Sequence, residues 1–172
     1  YSMTTGHSNV LLGKYSGKDC DTGVGNVGVG YYAFCSDQNG TTDSEYNTAV
    51  GYYAGKKLAS GDHNTFIGAY AGDDVSSGNE NVAMGYGAGN DLTTGSENVI
   101  IGTRAGGYSV PLTTGVKNIL IGRDSYTSAA TAENQIIIGT YQKQAVGDST
   151  AMINANGGAV YAGNNSTTFS TT

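Results

Sequence analysis

The feature of the sequence that most constrains its fold is a short unit repeated along most of the chain. Each copy begins with asparagine and ends its apolar run at glycine, as in NTFIG from Asn64 and NVIIG from Asn98. The first seven copies are spaced by 17, 21, 17, 17, 17 and 20 residues, and a degenerate eighth begins 16 residues later at Asn134. A unit this short cannot bury an apolar face alone, so we expect consecutive units to stack into a solenoid.

The apolar positions of the unit predict one short β-strand in each coil. In the fifth copy, Val82 and Met84 stand two residues apart, which is the spacing of side chains on one face of a strand. We expect these two columns to form the buried face. The residue between them, Ala83, belongs to a column that is also apolar in most copies. Apolar residues on both faces imply burial on both sides, and in a thin solenoid the second side would pack against another chain.

Glycine follows each predicted strand. The chain has 28 glycines among 172 residues and one proline, and this density disfavours helix because glycine costs about 1 kcal/mol per helical site. A backbone corner with positive φ, or one without room for a Cβ atom, explains a glycine in every copy. These corner glycines are Gly13, Gly30, Gly51, Gly68, Gly85, Gly102 and Gly122.

The remaining arc of the unit is predicted to hold a small residue, one apolar side chain and a tight turn. Ala71 is the small residue of the fourth copy, and Val75 is its apolar residue. Endings such as VSSG and LTTG contain the residues that favour tight turns. The whole unit is therefore consistent with one closed coil.

The asparagines are predicted to form a hydrogen-bonded ladder. In stacked parallel coils, identical side-chain amides can bond to the copies above and below. A receptor site rarely needs the same residue in every coil, so we favour this structural role over a ligand-binding row. The predicted ladder consists of Asn9, Asn26, Asn47, Asn64, Asn81, Asn98 and Asn118.

Two insertions lengthen the repeat. The first lies between Phe34 and Tyr46, and the second runs from Gly106 to Gly115 and contains Pro111. Insertions in solenoids map to loops on one face, which is often the binding face. Neutral tolerance is an equal alternative, because lengthening a loop costs little free energy.

The two cysteines, Cys20 and Cys35, fall in neighbouring coils. Stacked coils would bring them close enough for a disulfide, and an even count in an extracellular protein favours a bridge. The alternative is a buried thiol, because Cys20 also fits the apolar column of the arc. Zinc is disfavoured, since neither CxxC spacing nor a histidine pair accompanies them.

The charged residues do not predict catalysis or a cofactor. A formal net charge of −6 disfavours nucleic acid, which requires a basic surface. No apolar run approaches the roughly 18 residues of a membrane span. His7 and His63 accompany no nucleophile motif, and no carboxylate pair marks a glycosidase. We predict no enzyme activity, no catalytic residue, no metal and no cofactor.

Tyrosine is the best candidate for a binding surface. One column of the repeat contains Tyr15, Tyr32, Tyr53 and Tyr70. Aromatic side chains pack well along parallel coils, so a structural stack is favoured. A flat aromatic strip that receives sugar rings is the functional alternative.

The unit N-[VT]-x-[VIM]-G-x-x-A-G followed by L-T-T-G resembles the repeats of phage tail fibres and, more loosely, those in the heads of trimeric autotransporter adhesins. The resemblance covers about Gly6 to Gly139. It implies a homotrimer of left-handed parallel β-rolls, with the second apolar face at the three-fold axis.

The C-terminal segment from Asp148 to Thr172 resembles the stretch that precedes an endosialidase-type intramolecular chaperone. Such a chaperone trimerises the fibre and then cuts itself off through a serine–lysine mechanism. The expected organisation is a solenoid at 1–139 and a C-terminal stem or tip at 140–172, which ends at the cleavage point. Autoproteolytic maturation would remove the catalytic pair, so no catalytic residue is assigned here.

These observations predict an all-β parallel solenoid of about eight coils, about 40 Å long at roughly 4.8 Å per coil. The expected function is structural: a phage tail-fibre or appendage segment, on the virion, that attaches to a host surface. Its partners would be further copies of itself and a host glycan or protein. The alternative is a bacterial trimeric adhesin or extracellular filament, which a C-terminal membrane anchor in the full gene would favour.

Overall fold

Nine short parallel strands form the framework of the protein. The computed structural model describes residues 5–20, 22–35, 43–107, 109–140, 147–149 and 151–153. The strands in these ranges are β1 (Val10–Leu12), β2 (Val27–Val29), β3 (Thr48–Val50), β4 (Thr65–Ile67), β5 (Val82–Met84), β6 (Val99–Ile101), β7 (Ile119–Ile121), β8 (Ile136–Ile138) and β9 (Ala151–Ile153). They form one sheet in sequence order, every pair is parallel, and the described residues contain no helix. The predicted all-β solenoid of about eight coils is confirmed.

Equivalent residues of consecutive copies lie directly over one another. Phe66 of β4 pairs with Ala49 of β3 on one side and with Ala83 of β5 on the other. The two insertions leave this register unchanged, because Val27 still pairs with Thr48 across the first of them. Both insertions therefore lengthen only the segments between consecutive strands. Residues 36–42 of the first and residue 108 of the second lie outside the described part.

The core lies on the face of the strands opposite to the one predicted. The middle residue of each strand from β3 to β8 points inward and is fully buried, as Phe66 and Ile100 show. The flanking columns point outward, so Leu12 is 67% exposed and Met84 is 40% exposed. Alternate residues of a strand must face opposite sides, but both sides of these strands are apolar. The alternation alone could therefore not tell which side closes the coil.

Three columns of side chains fill the interior. The middle strand column meets the small residues, such as Ala71 and Ala88, and the apolar residues of the arc, such as Val75 and Leu92, all with no exposed surface. Sizes are complementary between coils. The Phe66 ring occupies space beside Gly55 of the preceding coil, where an added Cβ atom would lie 2.8 Å from the ring.

The corner glycines satisfy both conditions expected of them. Their φ angles lie between 127° and 142°, a region that side chains with a Cβ atom rarely enter. At Gly85, an added Cβ atom would also lie 2.8 Å from the carbonyl carbon and oxygen of Gly102 in the next coil. Backbone therefore packs against backbone at this corner.

Other corners place non-glycine residues in the left-handed region. Tyr53 and Tyr70 have φ near 60°, as do His63 and Glu80 immediately before the ladder asparagines. This conformation costs an L-residue roughly 1–2 kcal/mol. It recurs at the same column in successive coils because each coil must follow the backbone path of its neighbours to keep their hydrogen bonds.

The last coils correct two sequence predictions. Ile136–Ile138 pairs with Ile119–Ile121, so Gln135, not Asn134, occupies the ladder position of the eighth copy, and its backbone N–H bonds to Asn118 Oδ1 17 residues earlier. The sequence conceals this single-residue shift, because Asn134 is the residue type expected at the ladder position. The sheet also continues past residue 139, since β9 pairs with β8. Residues 154–172, with the expected cleavage point, lie outside the described part.

Two alanine substitutions in the same coil test the corner geometry. Gly85→Ala should lower the free energy of unfolding by about 3 kcal/mol, because a disfavoured backbone conformation and a collision with Gly102 act together. Gly87→Ala should cost only about 1 kcal/mol, since φ there is +62° and the added Cβ atom meets only Arg104 Cγ, at 3.7 Å. Urea unfolding measures both variants, and equal costs would contradict the assigned backbone contact.

Candidate functional site: the asparagine ladder and the tyrosine file

Asn81 shows how each ladder residue is bonded. Its Oδ1 accepts hydrogen bonds from the backbone N–H of Asn98 (3.1 Å) and from Asn98 Nδ2 (3.0 Å). Its Nδ2 donates to Asn64 Oδ1 (3.0 Å) and to the carbonyl oxygen of Gly95 (2.8 Å). Two donated and two accepted bonds use the full capacity of a side-chain amide. A buried amide with this pairing carries no desolvation penalty from a missing partner.

The ladder runs through the interior of the solenoid. From Asn26 to Asn118 the asparagines are at most 1% exposed, so they offer no surface to a ligand. Each Nδ2 also donates to a carbonyl oxygen in the turn that closes its coil, as Asn64 does to Gly78 (2.8 Å). The amide thus joins the start of a strand to the preceding coil and to the turn at the end of its own coil.

The two cysteines are buried thiols, so the predicted disulfide is absent. Cys20 occupies the interior apolar column, as its alternative interpretation proposed, and is 2% exposed. Cys35 stands three residues after the column tyrosine Tyr32, whereas Cys20 stands five residues after Tyr15. The two side chains therefore start from different places around the coil, and adjacency of coils does not align them.

The column of tyrosines forms a stacked set of rings, which we call the tyrosine file: Tyr15, Tyr32, Tyr53 and Tyr70. Successive ring centroids are 4.6, 5.5 and 5.6 Å apart, with interplanar angles of 31° or less. The rings are half-buried. Because the faces between successive rings are covered, the file offers ring edges along its length rather than a continuous flat strip.

A second tyrosine column flanks the file and changes its acid–base behaviour. Tyr31 stacks on Tyr52 at 5.3 Å, and Tyr52 meets Tyr53 edge to face at 4.3 Å. A hydrogen bond with the Tyr52 side chain, with lesser contributions from desolvation and neighbouring phenols, raises the pKa of Tyr53 to about 12. Desolvation also raises the pKa of Tyr70.

The file is interrupted above Tyr70, where the column holds Gly87. A cleft of about 280 Å³ lies there, lined by Tyr70, Asp73, Tyr86, Gly87, Asn90, Arg104 and Gly107. The repeat pattern of the sequence does not predict this site. Its only indication in the sequence is Gly87, which stands between Tyr70 and Arg104 in the column.

The part of the chain that the structure describes contains no cluster of potential metal ligands. No group of three or more histidine, cysteine, aspartate or glutamate side chains is placed to hold a metal ion among those residues. His7 and His63 are exposed; His63 packs on Tyr46, with centroids 5.3 Å apart. None of the described residues forms a helix that could cross a membrane.

No protein-family model, no curated protein and no solved structure matches this chain.

Asn81→Ala tests the ladder. The substitution removes the acceptor of the Asn98 backbone N–H and Nδ2 and the donor to the Gly95 carbonyl oxygen. A buried group left without its partner costs roughly 1–3 kcal/mol, so we expect a loss of about 3 kcal/mol or more. Asn79→Ala is the matched control in the turn just before Asn81, because Asn79 is exposed and accepts one bond from the Asp62 N–H. Water can replace that bond. Urea midpoints that fall equally in both variants would show that the ladder contributes little.

Tyr52→Phe tests the coupling of the two tyrosine columns. Without the Tyr52 hydroxyl, the pKa of Tyr53 should fall from about 12 towards the ordinary value of about 10. NMR titration of ¹³C-labelled tyrosine measures it, with Tyr86→Phe as the control outside this pair. Since an acid with a raised folded pKa loses stability between its unfolded and folded values, wild-type stability should decline from about pH 10 to pH 12.

Proposed function

We propose that this chain is a non-catalytic segment of a homotrimeric extracellular fibre, of the phage tail-fibre kind, that helps to attach the virion to a host surface. The observation that carries the proposal is the outer face of the sheet. It consists of the first and third residues of all nine strands, and none of these 18 residues is charged.

The outer face is apolar and accessible along the whole sheet. Leu12, Met84 and Ile153, from the start, middle and end of the sheet, are 67%, 40% and 48% exposed. Nine strands spaced by about 4.8 Å make a strip on the order of 40 Å long. Soluble monomers rarely leave an apolar patch of a few hundred square ångströms uncovered, and depletion of charge marks the centre of an interface.

A further copy of the same chain is the partner that fits this strip. The strip repeats once per coil in step with the backbone, and another copy has the same period along its length. Three copies around one axis would cover every strip with equivalent surfaces, which closes the assembly. The repeat's resemblance to tail-fibre repeats implies the same arrangement, with left-handed coils.

The solenoid also suits the mechanical role of a fibre. Consecutive coils are joined by backbone hydrogen bonds on both the strands and the corners, such as the Tyr70 N–H to the Tyr52 carbonyl (2.8 Å). A rod of this construction presents side chains at fixed intervals without needing a catalytic centre. Attachment would then reside in surface features outside the apolar strip.

The mass of the native particle tests the assembly. Sedimentation equilibrium should give three chains per wild-type particle. Met84→Glu with Ile101→Lys places an opposite-charge pair on paired outer positions, and its burial at an interface should shift the particle towards a single chain. Ser77→Glu with Thr94→Lys puts the same pair on two consecutive coils at exposed turn residues and should remain trimeric. A wild-type particle of one chain would refute the proposal.

A further inference from the structure

The gap in the tyrosine file arises from one missing side chain, not from a change of backbone. Gly87 has φ +62°, beside +60° for Tyr70 in the coil before and +54° for Arg104 in the coil after. Its N–H donates to Ala69 as the Tyr70 N–H donates to Tyr52, at 2.9 and 2.8 Å. The column therefore continues through Gly87 with a space where the next ring would stand.

The space is bounded on one side by the ring of Tyr70 and on the opposite side by the guanidinium of Arg104. No tyrosine of the file covers the side of Tyr70 that faces Gly87, and Tyr86 closes one edge with its centroid 5.9 Å from that of Tyr70. Arg104 stands above. Its guanidinium is held by Asp124 of the following coil, with Nη2 donating to Oδ2 at 3.1 Å and Nε 2.8 Å from Oδ1.

The remaining wall is polar. Asp73 and Asn90 line the cleft from consecutive coils. The Asn90 amide is oriented by its hydrogen bonds: Nδ2 donates to the carbonyl oxygen of Gly87 (3.0 Å) and to Asp91 Oδ2 (3.3 Å). A carboxylate, an amide, a guanidinium and a phenol thus surround one aromatic face.

We propose that this cleft binds a single neutral sugar ring of a surface glycan, stacked on Tyr70 beneath Arg104. The proposal deepens the attachment function and rests on it, because it names the class of receptor that the fibre segment would contact. A pyranose has C–H groups on its faces and hydroxyl groups around its rim. The faces match Tyr70, and the rim hydroxyls match Asp73, Asn90 and Arg104.

The height of the space and the charges around it favour a neutral sugar ring over a hydrocarbon ring or an acidic sugar. Tyr70 and Arg104 are two coils apart, roughly 10 Å along the rod, which leaves room for one ring between them. A hydrocarbon ring would strip water from Asp73 without replacing its hydrogen bonds. An acidic sugar would meet the carboxylate of Asp73, while the charge of Arg104 is already offset by Asp124.

The binding experiment uses the full chain in its native assembly, labelled with ¹⁵N. The probes are the methyl pyranosides of glucose, galactose and mannose, with N-acetylneuraminic acid and phenol as the competing classes. At least one neutral pyranoside should shift the amide signals of Gly87, Asn90 and Arg104 at millimolar concentrations. Absence of such shifts with all three pyranosides, or stronger shifts with either competing probe, would overturn the proposal.

Two substitutions at Gly87 separate binding from folding. Gly87→Tyr completes the file in a conformation that four tyrosines already adopt, and it should weaken the pyranoside at least tenfold by filling the cleft. Gly87→Ala leaves most of the space and should retain binding within about threefold. Tyr70→Leu removes the aromatic ring on which the sugar stacks and should also weaken binding tenfold. Undiminished binding by both Gly87→Tyr and Tyr70→Leu would overturn the assigned site.

These results are distinguishable from a failure of the fibre proposal. The native mass depends on the outer face of the sheet, and the cleft contributes no residue to that face. A trimer that ignores every pyranoside would refute the sugar site alone. A single-chain particle that binds a pyranoside at Gly87 would refute the trimer alone.

Discussion

The register between coils is the constraint on which the rest of this structure depends. Each side chain lies against the equivalent residues in the coils before and after it, so the residues of one column must be compatible with one another. The side-chain amide of asparagine meets this condition in a buried position, because its oxygen accepts from the next amide while its nitrogen donates to the previous one. Carboxylates in the same column would repel one another. The same rule favours stacked rings in the tyrosine file and bare backbone at the corner glycines.

Much of the fold could be predicted from the sequence, because contact between equivalent residues of successive coils requires the same residue types at fixed intervals. The strands, the corner glycines and the ladder positions follow from residues that recur at fixed intervals, such as Asn64, Asn81 and Asn98. The inward face could not be predicted in the same way, because Ala83 and its neighbours Val82 and Met84 are all apolar. Which column is buried depends on the direction in which the chain closes its coil, and hydrophobicity alone does not contain that direction.

The remaining failures share a physical cause, which is that they concern single positions rather than columns. Gln135 takes the ladder position with a longer side chain, and its Nε2 donates to the carbonyl oxygen of Gly147 at 2.9 Å. The hydrogen bond to the closing turn is therefore kept, although the residue is not asparagine. Cys20 and Cys35 lie in adjacent coils but at different places around them. The cleft at Gly87 is defined by a side chain that is missing from a column, and an absence of this kind becomes meaningful only when the residues above and below it are known.

The size matching around Phe66 has a consequence for how such a gene can change. Tandem DNA copies recombine unequally, and losing or gaining 17 codons would preserve every backbone hydrogen bond in register. Phe66, however, lies between Ala49 and Ala83, and loss of the coil that carries Ala83 would set its ring against Ile100. The interior thereby fixes the order of otherwise similar copies. Length variation by crossing over is thus confined to those coils whose inward residues are alike in volume.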